Sequence, residues 1–231
     1  MRVLFFTTYS DLYGANRSLL SIMKALKEDG SEVLLCIPKR GQMTEKMELL
    51  ELPFCVLPFY SGFLYLKPQI KHLLVPFLAI WNLFIFPFII FRGIKFNPDL
   101  VYSNSSLENL GIFVAKLFHR KHILHVREFM SKDYNSYFVF GSFLRRKFIG
   151  LSDGVIFVSN SVRDYIMKGF PFKIKNKVIY NGISFPSNSK MPIRKTNFGK
   201  EINLGLIGIF DKAKGQIVAV DFFANLLQEL P

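Results

Sequence analysis

Apolar runs of four to seven residues recur along this chain, each bounded by turn residues, and several are followed by a segment with helical spacing. Arg2 to Thr8, Glu32 to Pro38, Leu52 to Pro58, Leu100 to Ser103, Ile123 to Arg127, Gly154 to Ser159 and Lys177 to Tyr180 read as strands. Their apolar residues are continuous more than alternating, as in strands covered on both faces, and such strands belong to parallel sheets flanked by helices. Between them, Leu19, Met23 and Leu26 fall on one face of a helix capped by Asn16 or Ser18, with Lys27 near its end and Gly30 as its stop. Leu110, Phe113, Val114, Leu117 and Phe118 repeat at helical spacing, and Ser161 with Asp164 has the form of a capping box. The expected class is α/β with a Rossmann-like parallel sheet. At 231 residues, half of them apolar, the chain can build one substantial core with material left for part of another.

The last thirty residues restate the pattern. Glu201-Ile-Asn-Leu-Gly-Leu-Ile-Gly-Ile-Phe-Asp-Lys-Ala-Lys-Gly-Gln216 reads as a buried strand ending in Gly208, a turn carrying Lys214, and a helix opened by Gly215. The amides and positive dipole end of such a helix suit a diphosphate. One βα unit cannot bury both faces of a strand, so this reads as the beginning of a second nucleotide-binding domain.

In order along the chain, four segments resemble the family-four retaining glycosyltransferases of the GT-B fold. Strand Val3 to Thr7 leads into the glycine loop Tyr13-Gly14-Ala15-Asn16-Arg17. Asn97-Pro98-Asp99-Leu100-Val101-Tyr102-Ser103-Asn104 is similar to the family's "kPDvVhshs" strand. Ser152-Asp153-Gly154-Val155-Ile156-Phe157-Val158-Ser159 and Val178-Ile179-Tyr180-Asn181-Gly182-Ile183 resemble its "aD.vi.vS" and "viyNGid" elements. The turn before Gln216 resembles the G-R-x-x-x-x-K-G signature. The resemblance implies an acceptor-side N-terminal domain over residues 1–188, a linker over 189–200 and the start of a donor-side domain over 201–231, incomplete here. It also implies transfer of a sugar from a nucleotide diphosphate donor, with Lys214 on the diphosphate. Ile209 stands where the family has an arginine, and the family's E-x7-E segment does not occur within these residues, so the chain alone is expected to be inactive. No cofactor or metal is expected, since the family has no metal-binding D-x-D. The alternative is a non-catalytic remnant that binds membrane and acceptor; an epimerase of similar fold would have no use for the apolar segment described next.

Leu73 to Phe91 carries no charge across nineteen residues and is flanked by Lys67, Lys71, Arg92 and Lys95. That length can cross a bilayer. Crossing would set the Arg2 to Thr8 and Leu100 to Ser103 strands on opposite sides of a membrane, although both should join one sheet. Pro76, Pro87, Trp81 and Asn82 interrupt a straight span, and basic flanks suit a segment dipping into an anionic leaflet. Interfacial contact through Trp81, Phe84, Phe86 and Phe88 is the favoured placement, with a core-packed helix pair and a span as alternatives. Thirty Lys and Arg against 17 Asp and Glu give +13, which favours anionic partners: phosphorylated donors or lipid head groups. No zinc spacing, aromatic RNA-binding motif or basic recognition helix points to nucleic acid. Met1-Arg-Val-Leu-Phe-Phe is a strand pattern, not a signal peptide. The expected place is cytoplasmic, at the inner face of the cell membrane, with a glycolipid or polysaccharide acceptor.

Gly14, on the first βα loop, is the residue best suited to let backbone approach a donor, or it is a simple helix-start glycine. Gly215 and Lys214 complete the donor set. Asn16 and Arg17 follow on the acceptor side. His125 and Glu128, at the end of a strand where α/β active sites lie, could position acceptor hydroxyls, and Arg127 could meet a phosphate; the other reading is a strand ending in solvated polar residues. His119, His122 and His125 straddle a helix end and a strand start and are not expected to converge on a metal. Cys36 and Cys55 sit inside apolar runs as buried thiols. No catalytic residue is assigned.

Overall fold

The computed structural model describes residues 1–60, 63–64, 68–129, 137–138, 141–171, 173–182, 205–208 and 215–229. The chain divides into two compact units, Met1–Gly182 and Ile183–Pro231.

In the first unit the strands are β1 (Arg2–Phe6), β2 (Glu32–Ile37), β3 (Phe54–Val56), β4 (Phe63–Leu64), β5 (Leu100–Ser103), β6 (Lys121–Val126), β7 (Tyr137–Phe138), β8 (Gly154–Phe157) and β9 (Asn176–Val178). Seven of them form one sheet in the order β3-β2-β1-β5-β6-β8-β9, every pair parallel. β4 and β7 pair antiparallel beside it. The helices are α1 (Gly14–Glu28), α2 (Gln42–Leu49), α3 (Pro68–Phe96), α4 (Leu110–Leu117), α5 (Gly141–Gly150) and α6 (Asn160–Met167). This is the α/β class expected from the strand pattern.

Successive strand residues point to opposite faces, and the core is built accordingly. Val3 and Phe5 of β1, with Val33, Leu35 and Ile37 of β2, bury against Leu19 and Met23 of α1 and Met43 and Met47 of α2. Leu4 and Phe6 turn the other way, with Cys36, Cys55 and Val101, against Ile89 of α3 and Val114 and Ala115 of α4. Leu124, Val126, Val155 and Phe157 complete the core with Ile149, Val162 and Ile166. Truncating a fully buried member such as Leu4 or Leu19 to Ala costs about 2–5 kcal/mol. Both thiols are buried and free, as expected, with their Sγ atoms 3.2 Å apart.

Caps differ from expectation in two places. α1 begins two residues before Asn16, its cap residue Tyr13 makes no side-chain capping bond, and Asn16 is engaged elsewhere. α6 is capped by Ser159, whose Oγ accepts from the Val162 amide at 3.2 Å, not by Ser161. Gly30 ends α1 as expected, at a φ of 77° that only glycine adopts freely.

α3 is a single helix of 29 residues, about 43 Å long at ~1.5 Å per residue. It seats closely where Gly93 meets Phe118 past the end of α4; a Cβ at Gly93 would lie 2.3 Å from that ring. Its two ends feed strands of one sheet, because Val3 pairs with Leu100 and Phe6 with Ser103. By length and composition alone, Leu74–Phe96 is long and apolar enough to cross a membrane.

In the second unit, Gly205 to Gly208 is not in a strand, and Leu206 and Ile207 are exposed. The rest of the segment expected as a buried strand, residues 201–204, lies outside the described residues. The helix that follows, α7 (Gln216–Glu229), begins one residue after Gly215, which holds a φ of 71°. Residues 209–214, and with them Lys214, lie outside the described residues.

Candidate functional site

The sheet order reverses at β1, whose partners β2 and β5 lie on opposite sides, and ligands of open α/β sheets bind beyond the strand ends at such a switch point. Here the crevice is stitched by one residue. Asn16 accepts from Thr7 Oγ1 at 2.8 Å and from Asn104 Nδ2 at 3.3 Å, and donates to the Tyr9 and Asp11 carbonyls at 2.9 and 2.8 Å. All four of its hydrogen-bonding valences are taken and it is fully buried. Asn16, expected to touch an acceptor, therefore holds the β1–α1 loop to the end of β5 instead. The loop is gripped from its other side by α2: Met43 donates to the Ser10 carbonyl at 2.8 Å, and a Cβ on Gly41 would stand 2.7 Å from Ser10 Oγ.

Arg127, one residue past β6, lies over this crevice. Its Nε donates to Asn104 Oδ1 at 2.8 Å and its Nη1 to Asn181 Oδ1 at 3.0 Å, and Asn181 also accepts from Ser18 of α1 at 3.3 Å. The asparagine partners are neutral amide oxygens that fix the guanidinium, while burial works against its charge and Tyr102 and the Glu128 carboxylate favour it. Asn104 and Asn181 lay within recognised segments, yet nothing in their spacing shows that they clasp one arginine; 77 residues separate them, and only the sheet brings them together. Nearby, Gly14 starts α1 with open space around it: a Cβ added there would meet nothing within 4 Å, so the helix N-terminus is open to approach. Arg17 is exposed and tied by Nε to the Leu12 carbonyl at 2.9 Å.

His125 is buried, shares a hydrogen bond through Nδ1 with the Tyr102 hydroxyl, and finds no partner for Nε2 among the described residues. Burial, with the Arg127 charge adding to it, holds its pKa down at about 3, so the ring is neutral near pH 7. Burial likewise pushes the Tyr102 hydroxyl up to about 12. Glu128 accepts from Ser105 Oγ at 2.5 Å, at the end of β5.

A second polar group lies on the opposite face of the same two strands. Ser103 Oγ donates to Glu108 Oε2 at 2.5 Å and lies 2.9 Å from Nε2 of His122, whose Nδ1 is 3.0 Å from Ser152 Oγ. Glu108 also accepts from the Leu110 and Gly111 amides and so caps α4. Burial pushes Glu108 up to about 7, against those hydrogen bonds, and pulls His122 down to about 3. Serine, histidine and carboxylate are the ingredients of a nucleophilic triad, but here the serine proton points to the carboxylate and the histidine donates, the reverse of an activated nucleophile. His119 stands past the end of α4 at a φ of 52°, away from both. Among the described residues no group of three His, Cys, Asp or Glu is placed to hold a metal ion.

α3 closes the other flank. Trp81 Nε1 donates to the Pro58 carbonyl at 2.5 Å, and the Asn82 amide bonds both the amide and the carbonyl of Tyr60. Ile85, Phe86, Ile89 and Phe96 face the core. Phe77, Phe84, Phe88 and Phe91 are 70%, 69%, 61% and 64% exposed on the opposite side. Phe86, expected to share a membrane face with Trp81, Phe84 and Phe88, turns inward because two residues advance a helix by ~200°.

An open parallel sheet with a cation over its switch point has the make-up of one half of a GT-B glycosyltransferase, and solved structures of that class share the fold. HepE of Anabaena, solved in complex with UDP-glucose, is similar at a TM-score of 0.57 and 18% identity, covering 79% of this chain and 44% of its own. A glycosyltransferase of Rickettsia africae gives 0.56 and 16%, over 79% and 43%. MurG of Acinetobacter baumannii gives 0.50 and 11%, over 76% and 44%. The chain spans less than half the length of each. The model of Glycosyltransferase Family 4 matches residues 13–185, and the chain belongs to that family. No curated protein is similar enough in sequence to stand as a relative.

Proposed function

We propose that this chain is the acceptor side of an enzyme that moves a sugar from a nucleotide diphosphate to a membrane-associated acceptor, in the assembly of a surface polysaccharide or glycolipid at the inner face of the cell membrane. The observation that carries the membrane-bound acceptor is the uncovered apolar side of α3, with Arg92 and Lys95 toward its end and a mean hydropathy of 2.3 in its most apolar 18-residue window. A helix docked by one side and apolar on the other lies in an interface.

In the transfer the bond between the sugar's anomeric carbon and the diphosphate oxygen breaks, and an acceptor hydroxyl oxygen takes the carbon as its proton leaves. Negative charge gathers on the departing diphosphate. In the first unit, Arg127 and the open N-terminus at Gly14 are the groups suited to it. Neutral His125 and Glu128 border the acceptor side. These residues act from few directions, and orienting a nucleotide-sugar takes groups on several sides, so the chain alone is expected to bind membranes and transfer sugar poorly. The test is sedimentation with phosphatidylglycerol vesicles. The wild-type chain should pellet, and Phe84→Ser with Phe88→Ser should release it at unchanged melting temperature; a wild-type chain that stays in the supernatant refutes the membrane reading.

A further inference from the structure

α3 and α4 do not close completely against each other. Between them lies a shallow, open groove of about 430 Å³, walled by Ala79, Leu83 and Phe86 on one side and Leu110, Phe113 and Leu117 on the other. The one polar wall group is Asn82, whose amide is already committed to the Tyr60 backbone. No polar group there calls for a partner, so an occupant that fits is hydrocarbon.

We propose that this trough holds the hydrocarbon chain of a lipid-linked acceptor, an inference that rests on the membrane reading above and makes it specific. Two observations choose a lipid chain over other apolar occupants. The trough is continuous with the exposed side of α3, since Leu83, on its wall, is 71% exposed beside Phe84. A helix lying in a leaflet would bring that mouth to the level of the acyl chains, with the excess of basic residues meeting lipid phosphates. The trough's wall also reaches the strand-end side of the sheet, the side of the crevice, because Leu110 opens α4 just after β5. That leucine is held by Glu108 just beyond Ser105, and Ser105 carries Glu128 at the crevice rim. A chain seated against Leu110 and Phe113 sets its head group toward the strand ends, where Arg127 stands. The trough thereby measures an acceptor by its tail while the crevice receives its sugar.

The chain contains one tryptophan, Trp81, two residues from Ala79, which makes its fluorescence a local probe. Spin-labelled stearate below its micelle concentration should quench Trp81 saturably. Ala79→Phe, which fills the trough, should weaken that binding at least tenfold, and Phe113→Gln with Leu117→Gln on the α4 wall should do the same without adding bulk. Both should still pellet with phosphatidylglycerol vesicles. Phe84→Ser with Phe88→Ser should show the reverse, losing vesicles and keeping stearate. Saturable quenching that both trough variants retain overturns the proposal, as does the lack of saturable quenching in the wild type. Sedimentation equilibrium showing a dimer abolished by the trough variants would make a second copy the occupant and overturn it too. A wild type that binds stearate but not vesicles leaves the trough standing and removes the membrane reading.

Discussion

β5 and β6 carry two polar clusters, one on each side of the sheet, and they have opposite characters. Ser103, Glu108, His122 and Ser152 satisfy one another in full burial and touch nothing outside the protein. Asn104, Arg127 and Asn181 sit at the strand ends, where the two asparagines hold the guanidinium through amide oxygens that carry no charge to cancel its own. Neighbouring positions, Ser103 and Asn104, supply one cluster each. The contrast teaches that residue type alone does not mark a site. The closed cluster has the more catalytic composition, but only the other holds its charged group at the strand ends, beside a crevice.

The difference breaks most plainly at Gly111. A Cβ there would lie 2.4 Å from Ser103 Oγ and 2.9 Å from Glu108 Oε2, both buried. Gly111→Val is expected to cost at least about 3 kcal/mol, read by chemical denaturation, and a variant as stable as wild type would show that the closed cluster is not a support. Arg127→Ala should act on the other side of the comparison. Binding of uridine diphosphate or of an anionic acceptor should weaken by about 1.5–3 kcal/mol, the worth of hydrogen bonds to a charged group, while stability changes little. An affinity that does not change, measured by calorimetry, would return Arg127 to a structural role.

Acid sharpens the contrast further. His122 and His125 are held down to about 3, so the stability they confer is full above the ordinary histidine value of about 6.5 and is lost as pH falls toward 3. Glu108 is raised to about 7, so its contribution has the opposite slope: it is present below the ordinary carboxylate value of about 4.3 and lost as pH rises through 7. Between those values the glutamate offsets part of the histidine effect. Glu108→Gln should therefore steepen the acid loss between about pH 6.5 and 4.5, and a denaturation series that leaves the slope unchanged counts against the buried carboxyl as assigned. The smallest effect belongs to Ser105→Ala, which removes the bond to Glu128 at the rim and the bond accepted from the Leu107 amide, and should cost about 1–2 kcal/mol.

The sheet was legible because its strands are apolar runs set off by Gly, Pro and Asn, and the face of α1 because Leu19 and Met23 keep helical spacing. α2 and α5 were not. Gln42–Leu49 buries only Met43 and Met47 of its apolar residues and leaves Leu49 exposed, and Gly141–Gly150 buries Ile149 alone in its length, so neither has a strong periodic signal. Of the expected site residues, Arg127, His125 and Glu128 do collect at the strand ends. Asn16 could not be read correctly, since its four bonds go to Tyr9, Asp11, Thr7 and Asn104, contacts that depend on the fold of a loop and a strand 88 residues away. Phe86 was misplaced because an uncharged segment hides which side faces the core: with every residue apolar, no periodicity survives to report it.

The register that joins β1 to β5 also sets an order of events during synthesis. Arg2 meets Asp99 across 97 residues, so β1 waits for its second neighbour while α3 is already made. At translation rates of about 5–20 residues per second, roughly 5–20 s pass between the two strands, and folding governed by such distant contacts is intrinsically slow. Toward the end of that interval the completed 29-residue helix still waits about 1–4 s for β5 and α4, the elements it rests on, to emerge. The nascent chain thus shows its most adhesive segment before it owns the surface that will cover half of it, and the timing of elongation through residues 68–117 becomes a determinant of how much protein reaches the folded state.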